Sequence, residues 1–177
     1  MTVIHTRKLE PIHKKIGKEA VEFCIRKFLP RIRSPITVML HGSNNLLRVE
    51  GIYASCERID WEEKKAREFV IRIDTTTPIE TFLSSLMHEM IHVKQYAKGE
   101  LGIYARDPNC SRWKGEKINR DKLGYYDEPW EIEAHGYETG LVQQFLDEKP
   151  KWNKFVYESV KDHKMYRSPQ MVFPFYR

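Results

Sequence analysis

Hydrophobic residues recur every three to five positions in the segment Pro11–Leu29, near the start of the chain. This spacing predicts an amphipathic helix, and Pro30 ends it because proline cannot continue a helix. Three later segments are rich in β-branched and aromatic residues, which favour strands: Ile36–Leu40, Leu46–Cys56 and Glu68–Ile73. The pattern therefore predicts a small, largely antiparallel sheet between two helical regions.

The second helical region begins after this sheet. The run Thr77–Glu80 predicts a helix start, because a threonine cap with a glutamate three residues later satisfies two free backbone amides, and proline suits the first helical position. This helix is expected to continue to about Lys98, where Gly99 stops it. A further start at Asp127–Pro129 predicts another helix, which ends near Asp147.

Two segments carry weaker signals. Residues 100–127 are polar and basic and contain three glycines, which predicts a long loop or a hairpin. Residues 150–177 predict a short helix around 152–164 followed by an irregular tail, and we expect this C-terminal extension to pack on the rest of the domain. Its role stays open between covering the core, binding a partner and lying across a cleft as a pro-region.

The composition is that of one globular domain over residues 1–177, with 41% hydrophobic and 12% aromatic residues and no repeats. No apolar run approaches the roughly 20 residues that a membrane span needs. The segment Met1–Glu10 lacks the apolar stretch of a signal peptide, so we expect a cytoplasmic protein without a membrane partner. The three cysteines form no Cys-x-x-Cys pair and are expected to be reduced. A net charge of +5 permits an acidic partner without requiring one.

The sequence His-Glu-Met-Ile-His at positions 88–92 lies inside the first of the two later helices. Residues four positions apart share a helix face, so His88 and His92 can bind one metal ion while Glu89 stands beside them to take a proton. Both histidines fall outside the apolar stripe of this helix, near small or polar residues that leave room for a metal and its water: Ser84, Ser85 and Gln95. The alternative is an exposed histidine pair on a solvated face.

A catalytic zinc ion normally takes three protein ligands and a water, so a third ligand is required. On the last predicted helix, Glu131, His135 and Glu138 all project into an apolar sector, whereas Glu133 lies on the far side. A carboxylate within an apolar stripe needs a partner, and zinc supplies one for Glu131. The alternative for Glu131 is a carboxylate favoured by the helix dipole without any metal. His135 is the second candidate for the third ligand.

The motif resembles that of the gluzincin type of zinc metallopeptidase, in which a glutamate on a later helix completes His-Glu-x-x-His. In the CAAX-processing, HtpX-like and immunity-repressor-cleaving peptidases that helix reads Glu-x-x-Ala followed by Asp or Asn. Glu131-Ile-Glu-Ala134 matches this pattern, which implies that Glu131 is the ligand, although His135 replaces the Asp or Asn. The chain is also similar to small minimal-zincin proteins of phage type and, more distantly, to SprT-like proteases. The resemblance covers about Ile79–Phe145 and implies a minimal zincin-like α+β fold.

This resemblance implies a zinc-dependent metallopeptidase that acts on a peptide or protein substrate. One catalytic zinc would lower the pKa of its water to about 7, and Glu89 would accept the proton as that water attacks a carbonyl. The oxyanion would be stabilised by zinc and by a second donor, with four candidates: His135, Tyr104, Tyr125 and Tyr126. The strand Glu68–Ile73 is expected to be the sheet edge that pairs with an extended peptide.

Two alternatives belong to other classes. A non-catalytic, zinc-stabilised regulatory or binding protein would keep the ligands without turnover. A DNA-associated protein, such as an SprT-like protease, would use the basic region Arg106–Lys122 with Trp113, Tyr104 and Tyr125 as stacking surfaces, and its binding would weaken with salt. The competing interpretation of that region is a solvated active-site loop, which we favour. The sequence does not indicate an oligomeric state.

Overall fold

The N-terminal half of the chain folds into a four-stranded sheet with a helix packed beside it. In the computed structural model, which describes residues 2–60, 62–104 and 107–164, the strands are β1 (Thr2–Arg7), β2 (Ile36–Ser43), β3 (Ala54–Arg58) and β4 (Glu68–Asp74). Their order across the sheet is β1-β2-β4-β3. Helix α1 spans Pro11–Phe28, as its hydrophobic spacing predicts.

The prediction of a largely antiparallel arrangement is wrong for this sheet. Strands β1 and β2 pair in parallel, as do β2 and β4, and β3 alone among the described strands of this sheet runs antiparallel, against β4. The reason is that β1, which the sequence pattern did not indicate, precedes α1, and the helix carries the chain back before β2 begins. Strand β4 lies between β2 and β3, so the expectation that it forms the sheet edge is also wrong. The outer strands are β1 and β3.

The segment predicted as one strand over Leu46–Cys56 divides into two elements. Residues Leu46–Glu50 form the short helix α2, and the chain then turns at Gly51, whose φ of 72° suits glycine, before β3 begins. The Asp74 carboxylate at the end of β4 accepts a hydrogen bond from the backbone N–H of Leu47. A contact with a residue 27 positions away therefore stabilises a helical turn that the local composition did not favour.

Helix α3 spans Ile79–Lys98 and carries the histidine motif. Its end is as predicted, because Gly99 adopts the left-handed conformation with φ of 72°. Its beginning differs from the prediction: no side chain caps the helix, and the Thr77 hydroxyl donates to the Asp74 carbonyl instead. The predicted capping box is therefore wrong, because the preceding turn uses this hydroxyl.

The region predicted as a loop or hairpin contains a second, antiparallel sheet. Its strands are β5 (Leu101–Ile103), β6 (Cys110–Trp113) and β7 (Glu116–Asn119), in that order. Two short 3-10 turns follow, at Arg120–Lys122 and Tyr125–Asp127. The last two helices are α4 (Pro129–Glu148) and α5 (Pro150–Lys164). The predicted tail at 165–177 lies outside the described residues.

The hydrophobic core lies where α3 packs against the main sheet, α1 and α4. Buried side chains from all these elements form one cluster, for example Phe23, Phe69, Phe82 and Phe145. Helix α5 adds Trp152 and Val156 to the same cluster, so the described part of the C-terminal extension belongs to the core. None of the described helices is long and apolar enough to cross a bilayer. The chain therefore has an α+β fold in which α3 is central.

Candidate metal centre

The two histidines of the motif lie one turn apart on α3 and face α4. His88 is 7% exposed and His92 is 8% exposed, and their ring centroids are 4.9 Å apart. The phase of the helix sets them outside its apolar stripe, and side chains of α4 cover this second face. The alternative prediction, an exposed histidine pair on a solvated helix face, is therefore wrong.

Glu131, in the first turn of α4, brings a carboxylate to both imidazoles. It is 7% exposed, and its Oε2 lies 3.2 Å from Nε2 of His88 while its Oε1 lies 3.3 Å from Nε2 of His92. The two Nε2 atoms are 3.2 Å from each other. The fold thus brings together the three side chains that the sequence predicted as ligands, although α3 and α4 are separated by the whole second sheet.

The spacing of these atoms fits a tetrahedral metal site. Zinc binds nitrogen and oxygen ligands at about 2.0–2.1 Å, which puts two ligands of one tetrahedron about 3.3 Å apart. The observed separations of 3.2 and 3.3 Å are close to this value. Three protein ligands would leave the fourth coordination position to a water or a substrate atom, which is the pattern of a catalytic site rather than a structural one.

Hydrogen bonds to the far nitrogen of each imidazole decide which nitrogen carries the proton. Nδ1 of His88 is 3.0 Å from Oε2 of Glu138, and Nδ1 of His92 is 2.9 Å from Oε1 of Gln95. The amide nitrogen of Gln95 donates to the carbonyl oxygen of Trp130, so the amide oxygen is the atom that faces His92. Both partners accept, so both Nδ1 atoms carry a proton and donate it. Once the Nε2 proton is released, as metal binding requires, the Nε2 atom of each ring is free to bind a metal.

The charge of the centre favours a cation where these ligand atoms converge. Burial by itself lowers the pKa of His88, but hydrogen bonds to Glu131 and Glu138 outweigh it and raise the pKa to about 10. Burial likewise raises the pKa of Glu131, yet its bonds to His88 and His92 outweigh burial and hold that pKa well below the usual range. One proton can bridge only two of the atoms Nε2 of His88, Nε2 of His92 and a Glu131 oxygen, whereas one metal ion can bind all three residues.

Glu89, the predicted proton acceptor, is buried beside the ligands without belonging to them. Burial raises the pKa of its carboxyl, and the neighbouring His92 and His88 partly oppose this effect. The carboxylate also accepts a hydrogen bond from the backbone N–H of Cys56 in β3. The main sheet therefore holds Glu89 in place through β3, whereas α4 contributes Glu131.

The predicted oxyanion donors differ in their distance from the ligands. The hydroxyl of Tyr125 donates to Oε2 of Glu131 at 2.7 Å, so this side chain touches the centre directly. The ring of Tyr126 packs on the ring of His135, with 5.7 Å between centroids. Tyr104 lies in the second sheet region, where the Lys117 ammonium is 5.3 Å from its ring centroid.

His135, the second candidate for the third ligand, lies on the other side of His88. Its Nδ1 is 3.4 Å from Oε2 of Glu138, the same oxygen that accepts from Nδ1 of His88. These three residues form a second group whose possible ligand atoms lie within 4.8 Å of one another. The Nδ1 proton of His88 points into that group, so the set with Glu131 offers the better ligands.

The sequence did not predict that Gln95 and Glu138 would orient the two imidazoles. Gln95 was noted as a polar residue that leaves room for a metal, and Glu138 as one of three residues in an apolar sector. Their spacing along the sequence indicates that they lie near the centre. Gln95 follows His92 by three positions and Glu138 follows Glu131 by seven, so each shares a helix face with a predicted metal ligand.

The basic region proposed for nucleic-acid binding is largely engaged in contacts within the chain. Basic residues there form ion pairs with acidic neighbours: Lys114 with Glu133, Lys117 with Asp107 and Arg120 with Glu128. The ring of Trp113 packs edge-on against Trp130, and the Tyr125 hydroxyl is bound to Glu131. These contacts favour the interpretation of the region as an active-site loop, although part of it forms the second sheet. Residues 105 and 106 lie outside the described part of the chain.

The chain was compared with models of protein families, with curated proteins and with solved structures. None of the three comparisons found a match. What the centre can do follows from its own residues, which are three buried side chains whose possible ligand atoms lie within 4.8 Å of one another and one buried carboxylate beside them.

Proposed function

We propose that this protein is a zinc-dependent metallopeptidase of the minimal zincin type. His88, His92 and Glu131 would hold one zinc ion, and Glu89 would act as general base. The observation that supports this most is the convergence of three buried side chains: the two Nε2 atoms are 3.2 Å apart, and each has one of the two Glu131 carboxylate oxygens at 3.2 or 3.3 Å. An acceptor lies behind each imidazole, at its Nδ1. The α+β architecture, with its two ligand-bearing helices, is consistent with this fold type.

A zinc ion held by these residues would supply Lewis acidity, since bound zinc lowers the pKa of a water to about 7 and polarises a carbonyl oxygen. Glu89 takes the proton from the attacking water and passes it to the leaving amine. Burial raises the pKa of this carboxyl, which makes it a stronger base than an exposed glutamate. The Cys56 N–H orients the carboxylate during both steps.

The free edge of β3 is the proposed binding edge for an extended peptide, in place of β4. Residues Tyr53 and Ile59, which flank β3, make backbone hydrogen bonds toward β4 and its end. Because bonding directions alternate along an antiparallel strand, the N–H of Cys56 points away from β4, and it binds Glu89. A substrate paired along this edge would pass the general base, with main-chain hydrogen bonds supplying its affinity.

Elemental analysis of the purified protein tests the ligand set. We expect about one zinc per chain in the wild type, loss of zinc in His92→Ala and Glu131→Ala, and retention of zinc in His135→Ala. Zinc absent from the wild type even after reconstitution would refute the metal centre. Loss in His135→Ala but not in Glu131→Ala would assign the third ligand to His135.

Turnover is tested on the same preparations with fluorescently labelled casein as the probe. Glu89→Gln is expected to keep its zinc and to lose activity by a factor on the order of 10²–10⁴, because it removes the base without removing a ligand. Loss of zinc in Glu89→Gln would mean that this residue is structural. A zinc-loaded wild type that cleaves neither casein nor a peptide library would support the non-catalytic metal protein instead.

A further inference from the structure

Gln95 is fully buried and connects the metal centre to a charged network on its far side. Its Oε1 accepts from Nδ1 of His92 at 2.9 Å, and its Nε2 donates to the carbonyl oxygen of Trp130 at 2.9 Å and to Oε2 of Glu133 at 3.0 Å. Both partners of Nε2 can only accept. The amide therefore has one orientation that satisfies all three contacts, and a 180° flip would set oxygen against oxygen twice.

Glu133 is held in place by cations from two other elements. Its Oε2 lies 2.8 Å from the ammonium of Lys94, and its Oε1 lies 3.4 Å from that of Lys114. Lys94 is itself buried on α3 and also pairs with Glu100 at 2.7 Å. The helical phase predicts that Glu133 lies on the far side of α4 from Glu131, yet its carboxylate reaches Lys94 and Gln95 of α3.

We infer that Glu133 is a positioning residue for the metal centre, acting through Gln95 on His92. This inference rests on the metal centre of the proposed function. The carboxylate selects the amide orientation that presents Oε1 to Nδ1 of His92, which keeps the proton on Nδ1 and directs Nε2 to the metal. Lys94 offsets the cost of holding this partly buried carboxylate by pairing with it.

The variant Glu133→Gln isolates this role because it preserves size while removing the constraint. The new amide can either accept from Gln95 or donate to it, so the flipped orientation of Gln95 is no longer penalised at this contact. In that orientation the amide nitrogen of Gln95 faces Nδ1 of His92 and favours the tautomer whose proton points at the metal position. We expect zinc affinity to fall about tenfold, the lower end of the effect of outer hydrogen-bond partners.

Zinc affinity, measured by competition with a chromophoric chelator, is compared in four proteins: wild type, Glu133→Gln, Gln95→Leu and the double variant. Gln95→Leu is expected to weaken zinc binding 10- to 100-fold, and Glu133→Gln to add nothing further in that background. Glu148→Gln is the matched control, because it removes an exposed α4 carboxylate that pairs with the exposed Arg26 of α1. It should bind zinc as the wild type does.

Proton NMR of the zinc-loaded proteins separates positioning from general destabilisation. The Nδ1–H signals of His88 and His92 report two different acceptors, Glu138 and Gln95. In Glu133→Gln the His92 signal should shift and exchange faster with solvent, while the His88 signal stays unchanged as an internal control. A shift of both signals would indicate a structural effect and overturn the inference.

The remaining outcomes also discriminate. Equal zinc affinity in the wild type and Glu133→Gln would overturn the inference alone, as would an undiminished effect of Glu133→Gln in the Gln95→Leu background. A wild type that binds no zinc would overturn the metal centre and the inference together. A wild type that binds zinc without cleaving casein would count against the proposed function and leave the positioning role to be decided by the affinities.

Discussion

At the scale of single residues, the centre depends on groups that never touch the metal position. Each imidazole is held from behind by an acceptor on a different element, Glu138 of α4 for His88 and Gln95 of α3 for His92. Such partners fix the tautomer and the ring orientation, so the ligands are arranged before any ion binds. The motif predicted the ligands, but it contains neither of these acceptors.

Tyr125 offers a test at this scale. Its hydroxyl donates to Oε2 of Glu131 at 2.7 Å, and burial together with this bond raises its pKa, so it remains a donor at neutral pH. We expect Tyr125→Phe to weaken zinc binding about tenfold, because the ligand carboxylate loses an orienting hydrogen bond. Chelator competition measures the effect.

Tyr137→Phe is the matched control for this variant, since Tyr137 lies on α4 with its ring against Phe28 and should not alter zinc affinity. Unchanged zinc affinity in Tyr125→Phe would show that the hydroxyl does not support the ligand. Unchanged affinity combined with reduced casein cleavage would instead assign the hydroxyl to oxyanion stabilisation, where it contacts the substrate.

At the scale of elements, contacts between distant segments overrode local preference. Composition favoured a strand over Leu46–Cys56, but a carboxylate at the end of β4 holds the first half of that segment as a helical turn. The parallel pairing of β1 and β2 likewise depends on α1 lying between them, which hydrophobic period alone does not encode. The hydrophobic period and the composition of a segment indicate whether it forms a helix or a strand more directly than they indicate which other elements it packs against.

Asp74 makes the anchoring of α2 dependent on pH. Its carboxylate is 1% exposed and accepts from the N–H of Leu47 and from the N–H and hydroxyl of Thr76. Burial alone would raise the pKa of this carboxyl, but these donors outweigh burial and lower it. A folded-state pKa below the unfolded value means that the stabilisation is fully present above about pH 4 and is lost as the pH falls through the folded value.

The comparison of wild type with Asp74→Asn by urea unfolding checks this. The variant is expected to be less stable by about 1–3 kcal/mol between pH 5 and 7, and the difference should shrink below about pH 4. Thr76→Val removes one donor, which brings the folded-state pKa of Asp74 closer to the unfolded value, so its acid-dependent loss of stability should be smaller and should be complete at a higher pH than in the wild type. A difference for Asp74→Asn that stays constant down to pH 2 would contradict the prediction.

At the scale of the whole molecule, the described part of the C-terminal segment completes the core. Trp152 is 5% exposed and joins the same buried cluster as the helix that carries the ligands. The sequence left three roles open for this segment. The described side chains of α5 cover the core, which is one of the three. Its last predicted residues, 165–177, lie outside that description.

Truncation of Trp152 measures this contribution. Trp152→Ala is expected to lower the free energy of unfolding by about 3–5 kcal/mol, because it leaves a large cavity under α5. Lys154→Ala, on the exposed side of the same helix, should change it by less than about 0.5 kcal/mol. Urea unfolding followed by circular dichroism gives both values. If Trp152→Ala unfolded at the same midpoint urea concentration as the wild type, the assignment of α5 to the core would be contradicted.

Helical spacing along the sequence is enough to show which side chains share a helix face. His88 and His92 are one turn apart, and Glu131 falls on the inner face of its own helix, because 3.6 residues per turn sets these relations locally. Three other relations follow from how the chain packs: the two helix faces meet, Glu133 contacts Gln95, and β3 supplies the N–H that binds Glu89. Those relations join residues as much as 43 positions apart, and the packing of α3, α4 and the sheet sets them rather than any period along the chain.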